Sequence, residues 1–326
     1  MVKVQNYSGV DVSKQSFHVS VEESGKVRTK KFPYTAEGMA ECLGFLPKGT
    51  HCIVESTGTY HCQLAYYLFE NGVCLSVVNP LSVKRYAQAL MLRTKTDKAD
   101  SRMLMAYGKS FKPKPWQPRE SYCVELQQLI NLRELLNKQE AAANNQLESI
   151  RHSVVQSSFA KEKLAQRLRQ IKTDVKEVEQ QLERLVLAHE KEAFENLQSI
   201  PGIGKKTAVV LIALTQGMEG FSSSKQVSSY FGLCPRIYDS GTTVKGCAKI
   251  CKMGMALVRK LLYMCSLSAK KSNKACRELY NRLLARGKKK KLSLIAVANK
   301  LLKQAFAIIK HKTAFDENFL SNKLAY

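Results

Sequence analysis

Asp97 and Asp100 stand three residues apart in Lys95-Thr96-Asp97-Lys98-Ala99-Asp100, a stretch that reads as the start of a helix. Residues at i and i+3 share one helix face. The two carboxylates therefore project side by side and repel each other unless a cation sits between them. Two more acids are attached to apolar runs upstream: Asp11, near the end of Tyr7 to Val12, and Glu55, closing the run from His51 to Val54. Four carboxylates in one pocket need divalent cations, and an all-oxygen donor set favours Mg2+ or Mn2+. Two such ions about 4 Å apart stabilise both the attacking and the leaving oxygen of a phosphodiester. A lone Asp-x-x-Asp says little, because acids suit the first turn of any helix. The question is whether the fold delivers all four to one place.

Tyr7 to Val12, Ser16 to Glu22 and Val27 to Phe32 alternate or run apolar at strand length, with turn residues Ser13, Lys14, Ser24 and Gly25 between them. Helical spacing then runs from Ala36 to Leu46, broken by Pro47 and Gly49. A strand at His51 to Glu55, a helix at Tyr60 to Glu70 and an apolar strand at Cys74 to Val78 follow. The order β-β-β-α-β-α-β-α is that of the ribonuclease H fold. In it Asp11 lies on the central first strand, Glu55 ends the adjoining fourth, and Asp97 with Asp100 sits on a later helix laid across that edge.

Beyond Trp116 and Pro118 the pattern changes. Leu126, Leu129, Leu136, Ala143, Leu147, Ile150 and Val154 follow 3-4 spacing, with Arg133 and Glu140 at two seam positions. Leu164, Leu168, Ile171, Val175, Val178, Leu182 and Leu185 form a second series. Such spacing predicts a coiled-coil arm, with a bend near Ser157 and Ser158. Next, Ile200-Pro201-Gly202-Ile203-Gly204-Lys205-Lys206 resembles the hairpin of a helix-hairpin-helix module. Gly202 and Gly204 allow tight turns, and the amides at the following helix start, with Lys205 and Lys206, can meet phosphate without reading bases. In the segment from Phe221 to Gly254, Asp239-Ser240-Gly241 is turn chemistry. It also offers what a phosphodiester nucleophile needs, a hydroxyl on glycine-flanked backbone with cations nearby. Lys245, Lys252 and Arg259 are the phosphate-contacting cations expected there, and Tyr238 is the rival nucleophile.

Composition bounds the partners. The 326 residues include 52 Lys and Arg against 27 Asp and Glu, a net charge of +25. Such an excess points to a polyanion. Between Gly241 and Phe315 there are 19 Lys or Arg and one acid, Glu278, including the run Lys288 to Lys291. Neutralising several phosphates there gives strongly salt-dependent affinity. With no uninterrupted apolar run of about 18 residues and no basic-then-apolar leader, no membrane partner and a cytoplasmic location are expected. The ten cysteines are scattered singly and Cys247 with Cys251 lacks a second zinc-ligand pair, so reduced thiols are expected. The six histidines are equally dispersed and give no support to a His-based metal site.

Several of these motifs coincide with one family. Gly9-Val10-Asp11-Val12-Ser13-Lys14, Glu55-Ser56-Thr57-Gly58 and Asp97-Lys98-Ala99-Asp100 resemble the RuvC-like domain of the DEDD transposases, the insertion-sequence family "IS one-ten" that includes Piv-type DNA invertases. The later Gly232-Leu233-Cys234-Pro235, Ser240-Gly241, Lys252-Met253-Gly254 and Arg259 resemble its C-terminal transposase domain, with Asp239 standing where many members carry an amide or other polar residue. The resemblance implies an α/β plus all-α protein in three parts: a RuvC-like metal domain over 1–115, a coiled-coil arm over 116–190, and a helical domain over 191–326 bearing the helix-hairpin-helix and the serine. It implies Asp11, Glu55, Asp97 and Asp100 as metal-binding catalytic acids. Ser240 becomes a nucleophile forming a phosphoserine link to DNA. It further implies donor and target double-stranded DNA, a structured non-coding bridge RNA, and homodimers assembling into a tetramer. Two rivals remain at this stage: a Holliday-junction resolvase using metal-activated water, which needs the acids but not Ser240, and a non-catalytic DNA-binding protein.

Overall fold

The computed structural model describes residues 6–56, 58–91, 96–218, 220–236, 239–240, 244–245 and 249–317, and for 239, 240, 244 and 245 the backbone alone. Two units divide the chain, Met1–Pro118 and Arg119–Tyr326.

The first unit is built on a five-stranded sheet of order β3-β2-β1-β4-β5. Its strands are β1 (Asn6–Val12), β2 (Ser16–Glu23), β3 (Lys26–Pro33), β4 (Thr50–Glu55) and β5 (Cys74–Val78). β1 pairs antiparallel with β2, and β2 with β3, as tight turns demand; β4 lies parallel to β1, and β5 to β4. Helices α1 (Ala36–Phe45), α2 (His61–Glu70), α3 (Pro80–Ala89) and α4 (Asp97–Phe111) complete the unit. Alternation sorts the side chains onto two faces. Val10, Val12, Phe17, Val19 and Val54 join Met39 of α1 and Leu64 and Leu68 of α2 in one core. Ile53 and Val78 pack on the other face with Leu104 of α4 and Val83 of α3. The chain leaves along the edge of β5: the Trp116 amide donates to the Leu75 carbonyl (2.7 Å), and the Ser76 hydroxyl to that of Lys114 (2.6 Å).

The second unit opens with two long helices, α5 (Ser121–Arg151) and α6 (Ser158–His189). Their break falls at the predicted bend, where the Ser157 hydroxyl caps α6 by accepting from the Ala160 amide. The seam is intramolecular, with Leu126, Leu136, Ile171, Val178 and Leu182 buried in the unit's own core. Val154 is a correction: it lies in the connecting turn and is fully exposed, because α5 ends three residues earlier at Arg151. Arg133 does occupy the seam, donating from Nε to Glu179 of α6 (2.7 Å). Helices α7 (Lys191–Gln198), α8 (Lys205–Thr215) and α9 (Ser224–Tyr230) follow, and α8 is buried at every position from Thr207 to Thr215. Four two-residue strands come next: β6 (Pro235–Arg236), β7 (Asp239–Ser240), β8 (Val244–Lys245) and β9 (Lys249–Ile250). Helices α10 (Ala256–Ser272), α11 (Lys274–Ala285) and α12 (Lys290–His311) close the chain. α12 is long and apolar enough to cross a membrane by length and composition, although no continuous apolar run is visible in the sequence. Its buried stripe, including Val297, Leu301, Leu302 and Ala305, belongs to the core shared with α10, as in a core helix of a globular unit.

Candidate functional sites: an acidic sheet edge and a serine hairpin

The acids of the first unit are placed by register and by one glycine. Gly9, Asp11, Ile53 and Glu55 lie on the α4 face of the sheet, since each is two residues from the next on its strand and their alternates Val10 and Val54 fill the opposite core. Val10 pairs with Val54 in the parallel ladder, so Asp11 and Glu55 are neighbours at the carboxyl ends of adjacent strands. On this face α4 lies directly against Gly9. A Cβ there would collide with the Ser101 carbonyl and the Met105 amide. Farther along α4, a Cβ at Gly108 would meet Tyr7 and Ile53. The helix therefore runs against the direction of β1. Stepping back from Ser101 to Asp97 climbs about 6 Å of helix, and stepping forward from Gly9 to Asp11 covers about 7 Å of strand. Asp97 arrives abreast of Asp11.

A second register point agrees. His18 is the β2 partner of Asp11, and its Nδ1 lies 3.7 Å from Asp97 Oδ2. Ser20, the partner of Gly9, meets the Ser101 hydroxyl at 2.8 Å. Burial holds the His18 imidazole below its ordinary pKa; the Asp97 carboxylate pulls the other way, and Lys31 adds to the lowering. His18 is a residue that sequence reasoning missed. Its signal is present only in the β1–β2 register, which a scattered histidine does not reveal. At the helix start the Thr96 hydroxyl accepts from the Ala99 amide (3.2 Å), which sets Asp97 and Asp100 in the first turn. The donor set is carboxylate oxygen, suited to a hard divalent cation. Among the described residues, however, no group of three or more His, Cys, Asp or Glu is close enough to hold a metal ion.

In the second unit Ser240 belongs to a small hairpin: Asp239 pairs with Lys245 and Ser240 with Val244. Tyr238, Gly241 and Gly246 lie outside the described residues, as do the side chains of Ser240 and Lys245. The base of this segment is a close meeting of two glycine-bearing strands. Gly232 (φ +70°) presses on the Met253 carbonyl, and Gly254 (φ +124°) on that of Tyr230. The Lys252 amide donates to the Gly232 carbonyl (3.1 Å), with Lys252 itself at φ +58°. Arg259 donates from Nη1 to the Phe231 carbonyl (3.0 Å), so its guanidinium braces the same base. Gly-Leu-x-Pro and Lys-x-Gly are thus two halves of one backbone apposition.

The turn between α7 and α8 places its residues unequally. Gly202 (φ +106°) sits against Ala269 of α10, where a Cβ would come within 2.6 Å of another Cβ, whereas nothing crowds Gly204. Gly204 is the N-cap of α8. Lys205 is ion-paired with Glu183 of α6 (2.6 Å). Lys206 lines a cavity of about 170 Å³ with Arg133 and Glu179, and burial, followed by Arg133, depresses its pKa.

An acid-bearing mixed sheet and a strongly basic helical unit in one chain suit a protein that works on a polyanion such as DNA. The first unit from residue 8 onward and the whole of α5 fall within the match to the DEDD transposase family model of the IS110 type over residues 8–156, and residues 194–281 match the model described as Transposase IS116/IS110/IS902 family. The chain belongs to this family of DNA transposases and invertases. It is 29% identical over 325 residues to the pilin gene-inverting protein of Moraxella bovis, covering 96% of this chain and 98% of that one. The Moraxella lacunata protein of the same name is 28% identical, with the same coverage. The transposase for insertion sequence element IS1111A of Coxiella burnetii is 23% identical over 78% of this chain and 75% of its own.

Proposed function

We propose that this DNA recombination enzyme cuts and rejoins DNA through Asp11, Glu55, Asp97 and Asp100 in a RuvC-like domain of ribonuclease H fold and through Ser240 as the nucleophile. The observation that carries the reading is the α4 face of the sheet, where register and the Gly9 contact set Asp97 beside Asp11 and its partner His18. Once drawn closer together than they stand here, the four acids would hold Mg2+ or Mn2+, which would neutralise charge on the oxygens that attack and leave phosphorus. Asp11 and Glu55 offer fixed strand-end carboxylates, and the capped start of α4 orients Asp97 and Asp100. Ser240 attacks a DNA phosphate and forms a phosphoserine ester as the deoxyribose hydroxyl departs. The ester preserves the bond energy for rejoining without a nucleotide cofactor.

In this reading the domains are 1–115, 116–190 and 191–326, and protomers pair into dimers that assemble into a tetramer. The α7–α8 turn acts as a helix-hairpin-helix on DNA backbone, and Gly202, Gly204, Lys205, Lys206, Lys245, Lys252 and Arg259 contribute to the nucleic-acid surface. The charge of +25 suits both donor and target DNA and a structured guide RNA. The test is trapping: the purified protein is incubated with Mg2+, its RNA and element-end DNA, denatured, and digested. A nucleotide-linked peptide containing Ser240, absent in Ser240→Ala, is the expected result. A Ser240→Ala protein that cuts DNA normally overturns the nucleophile.

A further inference from the structure

The two short strands at the base of the serine-bearing segment are each flanked by a cysteine, Cys234 just before β6 and Cys251 just after β9. Pro235 pairs with Ile250 and Arg236 with Lys249, so the antiparallel register sets Cys234 opposite Cys251. The Cys251 amide donates to the Cys234 carbonyl (2.9 Å). Opposed residues of an antiparallel pair project from the same face. Directly opposed residues of an antiparallel pair stand about 4.5–5.5 Å apart at Cα, inside the range that a disulfide spans. Both thiols are free and half-buried, accessible to a small reagent, whereas Cys42, Cys52, Cys123, Cys265 and Cys276 are buried. The backbone around the pair is fixed on both sides: Gly232 and Gly254 are pressed against the opposing chain two or three residues away. Pro235, which has no amide hydrogen, occupies the neighbouring pair and loses no ladder bond there.

We propose that Cys234 and Cys251 are a reversible thiol–disulfide modification site whose bond clasps the segment carrying Ser240. The oxidant class is a low-molecular-weight disulfide such as oxidised glutathione. One cysteine thiolate attacks it, forming a mixed disulfide and releasing one glutathione thiolate. The opposed thiolate then attacks the protein sulfur and expels the second. Two electrons pass from the cysteine pair to the glutathione disulfide, and the two cysteine protons end on two glutathione thiols. Closing the bond draws the Cβ atoms about 1 Å nearer than ordinary cross-strand spacing. Cross-links under such tension are the ones that cellular thiols readily reopen.

The site is tested without any assay of recombination. The full-length protein is treated with oxidised glutathione, its remaining thiols are alkylated, and its peptides are mapped. The expected product is an intrachain link between the Cys234 and Cys251 peptides, reversed by dithiothreitol. Amide exchange over residues 235–250 should slow by roughly tenfold on oxidation. Cys234→Ser and Cys251→Ser should each abolish both changes, and Cys247→Ser should leave them. Glutathione retained separately on both sulfurs, a link that requires Cys247, or a cross-link between chains overturns the proposal. Because the wild-type map is decisive by itself, a variant that fails to fold does not rescue it.

Discussion

The acidic edge and the serine hairpin are held in opposite ways. Asp11 and Glu55 are carried by register within a five-stranded sheet, and α4 is seated on that sheet by a glycine that tolerates no side chain. Ser240 is carried by a two-residue ladder, and among the described residues the base of its segment is fixed where Gly232 and Gly254 let two backbones meet. A carboxylate set that must present several oxygens together benefits from a rigid platform. Under the proposed function, Ser240 must first reach one phosphate and later release another strand, a task that suits a short hairpin on a firm footing. The contrast separates residues that define geometry from residues that deliver chemistry.

The largest expected effect falls on chemistry alone. Asp97→Ala and Asp11→Ala should each lower strand cleavage by on the order of 10³-fold. Asp97 is 60% exposed, so its variant should move unfolding free energy by no more than about 0.5 kcal/mol. Cleavage rates and urea unfolding on the same preparations decide it. A fully active Asp97→Ala protein would remove that acid from the site.

The footing of each region is probed next. Gly9→Ala drives a methyl into the backbone of α4, and about 3 kcal/mol of destabilisation is expected. Gly254→Ala combines φ +124° with collision at the Tyr230 carbonyl, and about 2 kcal/mol is expected. Urea denaturation measures both, and amide exchange assigns the loss to the first unit in one case and to the second in the other. Exchange that rises in the wrong unit would break the distinction drawn between the two footings. A smaller loss, about 1 kcal/mol, is expected for Glu179→Ala. That change strips the nearer of two carboxylate partners from the mostly buried Arg133 in the α5–α6 seam, leaving Glu134 at 3.7 Å, and Arg133→Met with Glu179→Ala should recover most of it.

Much of the first unit was legible because its strands alternate cleanly and its turns carry turn residues. Cys74–Val78 appears as read, and the α4 start at Asp97 follows from the Thr96 cap. The two arm helices were legible from 3-4 spacing, but whether their seam faces a second chain or its own unit is a matter of packing that periodicity does not encode. His18 and the Cys234–Cys251 opposition were illegible for the same reason. Each is a relation between residues on different strands, fixed by register alone. The glycines of Gly232-Leu233 and Met253-Gly254 belong to two separate family motifs in the sequence, and the apposed backbones show that each requires the other. Arg259, expected to meet phosphate, spends one donor on the Phe231 carbonyl, a use visible only once that carbonyl has a place.

The smallest expected effect concerns pH and again separates the regions. His51 lies near the start of β4, at the opposite end of the strand from Glu55, almost wholly buried, hydrogen-bonded to the Ser76 hydroxyl (2.8 Å) and stacked on Tyr7. Burial lowers its pKa from the ordinary 6.5. A histidine that stays neutral in the folded chain and takes a proton more readily when unfolded contributes stability that is complete above pH 6.5 and is lost as pH falls through the lower folded value. The first unit should therefore lose stability on acidification across this window. Replacing His51 by Gln, which keeps an amide to meet Ser76 but cannot titrate, should flatten the dependence while lowering stability at neutral pH. Thermal unfolding between pH 5 and 8, with exchange probes on β4 and on α8, measures it. A slope that survives in His51→Gln would move the titration to His18, beside Asp97, and tie stability of the sheet to the acidic edge itself.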